Sequence, residues 1–139
     1  MKKIGLASDH AGYPLKEQVK EWLTAMGYEF VDFGTHSTES CNYPEFAHAL
    51  ANAIENGEFE KGIAICGTGN GINMTLNHHA AIRSALCWMP EIAALARQHN
   101  DANVLVMPGR FIDNATAKEI MDQFFSTPFE GGRHMERIA

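Results

Sequence analysis

A three-layer α/β/α domain on a five-stranded parallel sheet is what this sequence predicts, on three observations. Short β-rich apolar runs alternate with segments of helical period along the chain. Those β runs are near-continuously apolar rather than alternating, as parallel strands covered on both faces are. Reactive and polar residues stand directly after several of the strands, where open α/β sheets place their sites.

Each element has its own signal. "KIGLAS" (3–8) reads as the first strand, and "GYPLKEQVKEWLTAMG" (12–27) as a helix with Leu15, Val19, Trp22, Leu23 and Met26 on one face. "YEFVDFG" (28–34) is the second strand. "YPEFAHALANAIENG" (43–57) opens a helix with Pro44 at a first helical position and stops near Gly57. "GIAIC" (62–66) is the third strand, and "GINMTLNHH" (71–79) a short helix. "IRSALCW" (82–88), "PEIAALARQHN" (90–100), "NVLVM" (103–107) and "NATAKEIMDQFFS" (114–126) complete the Rossmann-like alternation as strand, helix, strand and helix.

The bulk numbers exclude several classes. The chain has 139 residues and 15.4 kDa, enough for one domain with a real core. Its formal charge is −6 and its pI about 5.6, whereas nucleic-acid binders carry a basic face, so no nucleic-acid partner is expected. An anionic substrate must then meet a local cluster of cations. No apolar run has transmembrane or signal-peptide length, and Cys41, Cys66 and Cys87 lack C-x-x-C spacing. A cytoplasmic protein with free thiols and no membrane partner is expected.

"ICGTGNGINM" (65–74) carries the sharpest question, because it puts a thiol at the mouth of a glycine-rich loop. The dinucleotide fingerprint fails, since Ile72 stands where its third glycine belongs. The P-loop fails too, for want of a Gly-Lys-Ser/Thr. A strand, glycine loop and helix still offer converging N–H groups and a positive helix end; the plainer alternative is a tight turn. Cys66 reads equally as a small hydrophobe or as a reactive thiol, and the helix terminus predicts a lowered pKa for it. Cys87 reads as core, and Cys41 as incidental.

Among the histidines, His10 beside Asp9 and His99 in "RQHNDAN" suit acid–base work, whereas His36, His48, His78 and His79 read as surface residues. No H-x-x-x-H pair or carboxylate–histidine spacing marks a metal site. The tail "EGGRHMERIA" (130–139) sets Arg133, His134 and Arg137 after a Gly-Gly hinge, with the arginines four apart and on one face if helical. It is either a solvated terminal helix or a phosphate clamp.

Taken together, these motifs resemble one family, the type B ribose-5-phosphate isomerases with their galactose-6-phosphate and allose-6-phosphate relatives. The resemblance is carried by "SDHAGYPLK", "GT" with "YP" at 34–44, "ICGTGNGI", "RQHNDANVL", "GR" at 109–110 and "EGGRHMERI", and it spans essentially the whole chain. It implies one sugar-phosphate isomerase domain over 1–139, whose 130–139 tail reaches a neighbouring subunit. The implied reaction converts an aldose phosphate to its ketose with no metal or other cofactor. Ribose 5-phosphate is the expected substrate and a six-carbon sugar phosphate the alternative.

Carried over position by position, the resemblance makes Cys66 the base at C2. The loop of Gly67, Thr68, Gly69, Asn70 and Gly71 would bind the enediolate oxygen through its amides, with help from the Thr68 hydroxyl. Asp9 and His99 would open the sugar ring, and Asn100 would bind a substrate oxygen. His10, Arg110, Arg133 and Arg137 would hold the phosphate and outer hydroxyls, with His134 beside them and Tyr43 lining the pocket. The implied assembly is a homodimer with shared active sites, or a tetramer. Asn70 and Asn73 sit at positions that vary in size among the relatives and bear on the sugar accepted. Competing readings are a Cys–His hydrolase using Cys66 and His99, and a non-catalytic sugar-phosphate sensor.

Overall fold

The computed structural model describes residues 2–139. Its elements run β1 (Lys3–Ser8), α1 (Tyr13–Ala25), β2 (Glu29–Asp32), α2 (Tyr43–Glu55), β3 (Lys61–Cys66), α3 (Asn70–Asn77), β4 (Ser84–Leu86), α4 (Pro90–Asn100), β5 (Val104–Pro108), α5 (Asn114–Ser126) and α6 (Arg133–Ile138). All four strand pairings are parallel, and the sheet order is β2-β1-β3-β5-β4. The expected α/β/α architecture is therefore present, with five strands.

Residue alternation along β3 sorts the two helix layers. Ile63 and Ile65 pack with Leu15, Val19 and Leu23 of α1 and with Ile120, Met121 and Phe124 of α5. Ala64 and Cys66 face the other way, onto Leu50 and Ile54 of α2 and Ile72 and Leu76 of α3. Small residues let α2 lie close on that second face. Gly5 pairs with Gly62 and Ala7 with Ala64 across β1 and β3. A Cβ on Gly5 would stand 2.5 Å from the Leu50 Cδ1.

Both edge strands are shorter than the sequence predicts. β2 covers four residues and β4 three, each having a ladder partner on one side only. Backbone pairing nevertheless continues one step past β4, where the Cys87 N–H donates to the Val106 carbonyl at 2.9 Å.

An ion network that no periodicity announces closes the β2 edge. Lys16 is fully buried on the inner face of α1, and its Nζ donates to the Asp32 Oδ1 at 2.7 Å and to the Thr35 carbonyl. Lys20 reaches the Asp32 Oδ2 at 2.8 Å, and the Gly34 N–H donates to Oδ1 at 2.9 Å. Burial alone would raise the Asp32 pKa, but its two lysines and the Gly34 amide together hold it below the ordinary carboxylate value. A group with a lowered folded-state pKa contributes stability above its unfolded pKa and loses it as pH falls through the folded one. Unfolding midpoints in urea should thus drop on the acid side of about pH 4. Asp32→Ala should cost about 3–5 kcal/mol by the same measurement, since it leaves the Lys16 ammonium buried without its main counter-charge. A loss below ~1 kcal/mol would show that Lys16 is satisfied without it.

Candidate active site

The chain leaves β1 toward β2 on one side and returns to β3 on the other, so the switch point of the sheet lies between β1 and β3. Asp9 follows β1 there, and Cys66 ends β3. The Cys66 Sγ donates to the Asp9 Oδ2 at 3.1 Å, while the Asp9 Oδ1 accepts the Gly12 N–H at 2.7 Å. Gly12 must be glycine, because a Cβ would lie 2.3 Å from the Ile65 carbonyl oxygen.

The loop after Cys66 is shaped by two further glycines. Gly69 caps α3 at φ +83°, where a Cβ would also meet the Leu86 Cδ1 at 2.4 Å. Tyr43, from the start of α2, packs its hydroxyl 2.5 Å from where a Gly71 Cβ would be. The Thr68 Oγ1 accepts the Asn70 N–H at 3.2 Å. Arg110, past β5, donates its amide to the Gly67 carbonyl at 3.0 Å and lays its exposed side chain along that glycine. The His10 Nδ1 accepts the Cys41 N–H at 3.3 Å, so the neutral ring carries its proton on Nε2 and presents a donor.

The charge state of Cys66 differs from the expectation of a lowered pKa. Burial pushes the thiol up, and the hydrogen bond and negative charge of Asp9 push it further. The Gly69 and Gly67 amides pull it down, but by less. The helix-terminus effect is present and is outweighed, so the resting site holds a thiol hydrogen-bonded to a carboxylate. In Asp9→Asn both the acceptor and the charge weaken, and the thiol pKa should fall. Iodoacetamide should then label Cys66 faster at pH 7 in that variant than in the wild type, read on the Cys66 peptide by mass spectrometry. Slower labelling would mean that Asp9 already carries the thiol proton.

The remaining predicted residues form a second cluster elsewhere. α4 runs back along the sheet, so His99 and Asn100 at its end lie by the edge where β5 begins. The C-terminal segment docks beside them, with the Glu130 N–H donating to the Gln98 carbonyl at 3.1 Å. His134 is buried and stacks on His99, ring centroids 4.4 Å apart and planes at 19°. Arg83 ties the cluster together, its Nε donating to the Asn100 carbonyl at 2.7 Å and its Nη1 to the Ile138 carbonyl at 3.3 Å. Arg133 and Arg137 are exposed on α6.

The residues that follow the strands and the His99 group thus stand at two separate edges, and the tail packs on α4 of its own chain. Cys66 is aligned with Pro108 at one end of β5, and Gly62 with Val104 at the other. At ~3.3 Å per residue the two clusters are separated by at least about 13 Å along the strands. Within one chain His99 is out of hydrogen-bond reach of Cys66, which removes the intramolecular Cys–His pair. Arg83 in the second cluster and Lys16 at the β2 edge are both hidden, since they look like ordinary surface cations in the sequence. A lysine at a core-facing helical position, next to Leu15 and three before Val19, was the available signal for the second.

His99, Glu130 and His134 are the one group among the described residues whose ligand atoms all lie within 4.8 Å of one another. Their stacked rings direct the ring nitrogens side by side rather than at a common point, and the His134 Nε2 stands 3.5 Å from the Glu130 Oε1 as in an ion pair. That geometry suits a positioned histidine pair better than a metal centre.

A thiol, a carboxylate and backbone donors around one point can move a proton beside an oxygen that gains charge, which places the chain among α/β enzymes of proton transfer. Comparison with known proteins agrees. Residues 4–139 match the family model described as Ribose/Galactose Isomerase. Ribose-5-phosphate isomerase B of Escherichia coli is 44% identical over 138 residues, covering 99% of this chain and 93% of that protein. A ribose 5-phosphate isomerase structure from Thermotoga maritima superposes with a TM-score of 0.96 at 50% identity, covering 99% of this chain and 94% of the other. The Mycoplasma genitalium ribose-5-phosphate isomerase B structure with bound ribulose-5-phosphate gives 0.93 at 40%, covering 98% and 91%. The chain belongs to the ribose/galactose isomerase family and is an isomerase of sugar phosphates.

Proposed function

We propose that this chain interconverts ribose 5-phosphate and ribulose 5-phosphate, in active sites each assembled from two copies of the chain. The observation that carries the reading is the division of the candidate residues between opposite edges of the sheet. Asp9, His10, Tyr43, Cys66, the 67–71 loop and Arg110 lie at one edge; His99, Asn100, Arg133, His134 and Arg137 lie at the other. A two-fold axis sets one copy's second cluster against its partner's first, and does so twice. What the partner supplies is then the whole His99 cluster, not the tail alone.

In the closed site Asp9 takes the proton of Cys66 and leaves a thiolate facing the Gly67 and Gly69 amides. Protonated Asp9 gives its proton to the sugar ring oxygen while the partner's His99 accepts the one on the anomeric hydroxyl, and the ring opens. The thiolate then removes the C2 proton and, as the proton on O2 passes to O1, returns it to C1, the work of a general base on a carbon acid next to a carbonyl. Loop amides and the Thr68 hydroxyl hold the oxyanion that develops between those steps. His134 works from behind His99 as a stacking support, which differs from the expected direct contact with substrate.

An acidic chain must gather cations for a dianionic phosphate. The His10 Nε2–H and Arg110 come from one copy, and the partner's Arg133 and Arg137 from the other. No helix among the described residues is long and apolar enough to cross a membrane. All three cysteines are unpaired, which fits a reducing compartment such as the cytoplasm.

The test is a comparison of kcat/KM for ribose 5-phosphate, allose 6-phosphate and galactose 6-phosphate, run with and without a chelator. Ribose 5-phosphate should lead and the chelator should change nothing. One added hydroxymethyl group is worth about 1–3 kcal/mol of discrimination, so a lead of ~10- to 200-fold is expected. A six-carbon substrate in the lead would reassign the pocket, and chelator-sensitive turnover would contradict proton transfer by side chains alone.

A further inference from the structure

The outer face of α2 and α3 holds a histidine pair that the isomerase chemistry does not use. His48 lies midway along α2, and His79 just past the end of α3. The His48 Nδ1 and the His79 Nε2 are 2.8 Å apart, with ring centroids at 5.0 Å. The other nitrogen of His79, Nδ1, is 2.5 Å from the Glu55 Oε1 on the last residue of α2. That carboxylate accepts the Nδ1 proton, which leaves the Nε2 lone pair of a neutral His79 directed at His48. An imidazole whose far nitrogen is held by a carboxylate is the usual setting of a metal-bound histidine.

We propose that His48 and His79 form a surface site for a divalent first-row metal, with Glu55 orienting His79. The spacing selects the metal. With metal–nitrogen bonds of ~2.0–2.1 Å, nitrogens 2.8 Å apart subtend about 84–89° at the ion. Tetrahedral zinc needs nitrogens about 3.3–3.4 Å apart at those bond lengths. A near-right angle is that of neighbouring ligands in the tetragonal sites of Ni2+ and Cu2+. His48 is exposed, so its ring can give up the Nδ1 proton that faces His79 and turn toward the ion, and water completes the coordination. The ion displaces the proton shared between the two rings and fastens α2 to the end of α3. His48, His79 and Glu55 belong to neither of the two candidate clusters, so occupancy should leave isomerisation intact.

Ni2+ is the probe of choice, because Cu2+ would oxidise the unpaired thiols. In calorimetric titration the full-length protein should take up one Ni2+ per chain. His48→Gln and His79→Gln should each weaken binding by at least ~10-fold, and Glu55→Gln by about 10–100-fold. His78→Gln, on the adjacent exposed ring, should bind as the wild type does. Paramagnetic broadening supplies a reading free of mutation, in which the His48 and His79 ring-proton signals should broaden before those of the other histidines. Unchanged affinity in His48→Gln, no stoichiometric uptake by the wild type, or broadening that begins at His10 or His99 would each overturn the assignment.

Discussion

Cys66→Ala is expected to lower kcat by on the order of 10²–10⁴, the range for a missing general base, with KM close to wild type. That loss corresponds to about 3–5.5 kcal/mol of transition-state stabilisation. KM should hold because the phosphate contacts proposed for His10, Arg110 and the partner's arginines do not involve the thiol. Folding should hold too, since Cys66 is a small side chain at the end of a strand whose neighbours Ala64 and Ile65 are fully buried. Cys66→Ser gives a second reading, because a hydroxyl fills the same space and is far harder to ionise. It should be slow to a similar degree. Measured as kcat and KM separately, a fall confined to kcat locates the thiol in the chemical step. Near wild-type turnover in either variant would remove Cys66 from the mechanism.

Asp9 makes that prediction more pointed. A thiol whose pKa is raised in the free enzyme has to shed its proton after substrate enters, and Asp9 at 3.1 Å is the acceptor in place. In the proposed mechanism the carboxylate that suppresses the thiolate at rest is thus the group that creates it on demand.

The sheet and most helix boundaries were legible in the sequence because the apolar runs of β1, β3 and β5 are uninterrupted and each helix carries a stripe of period 3.6. Gly69 and Gly71 were legible as a loop and Gly12 as a helix start, and their steric reasons became visible only with Leu86, Tyr43 and the Ile65 carbonyl in place. The Cys66 pKa was misjudged for a physical reason. The helix end was readable from the sequence, whereas burial and the Asp9 contact depend on β1 and β3 lying side by side. Lys16 and Arg83 were missed because a cation in a helix or at a strand start looks solvated until its acceptors, the Thr35 and Asn100 carbonyls, fold onto it. The histidine pair of His48 and His79 joins residues 31 apart and has no local signature.

The proposed division of the site between two chains has its largest consequence in mixed dimers. Cys66→Ala damages the first cluster and Arg137→Ala the second, and each pure variant should be nearly inactive. Arg137 lies on α6, which is held to α4 by its own chain, so this lesion should leave the Cys66 edge of the same chain untouched. The two variants are unfolded together and refolded as a 1:1 mixture. In a two-fold dimer with shared sites, every mixed dimer places both lesions in one site and leaves the other intact. Half of randomly formed dimers are mixed, so the mixture should recover roughly a quarter of wild-type activity. A mixture as inactive as its parents, with wild type surviving the same refolding, would contradict the shared site and return all the chemistry to a single chain.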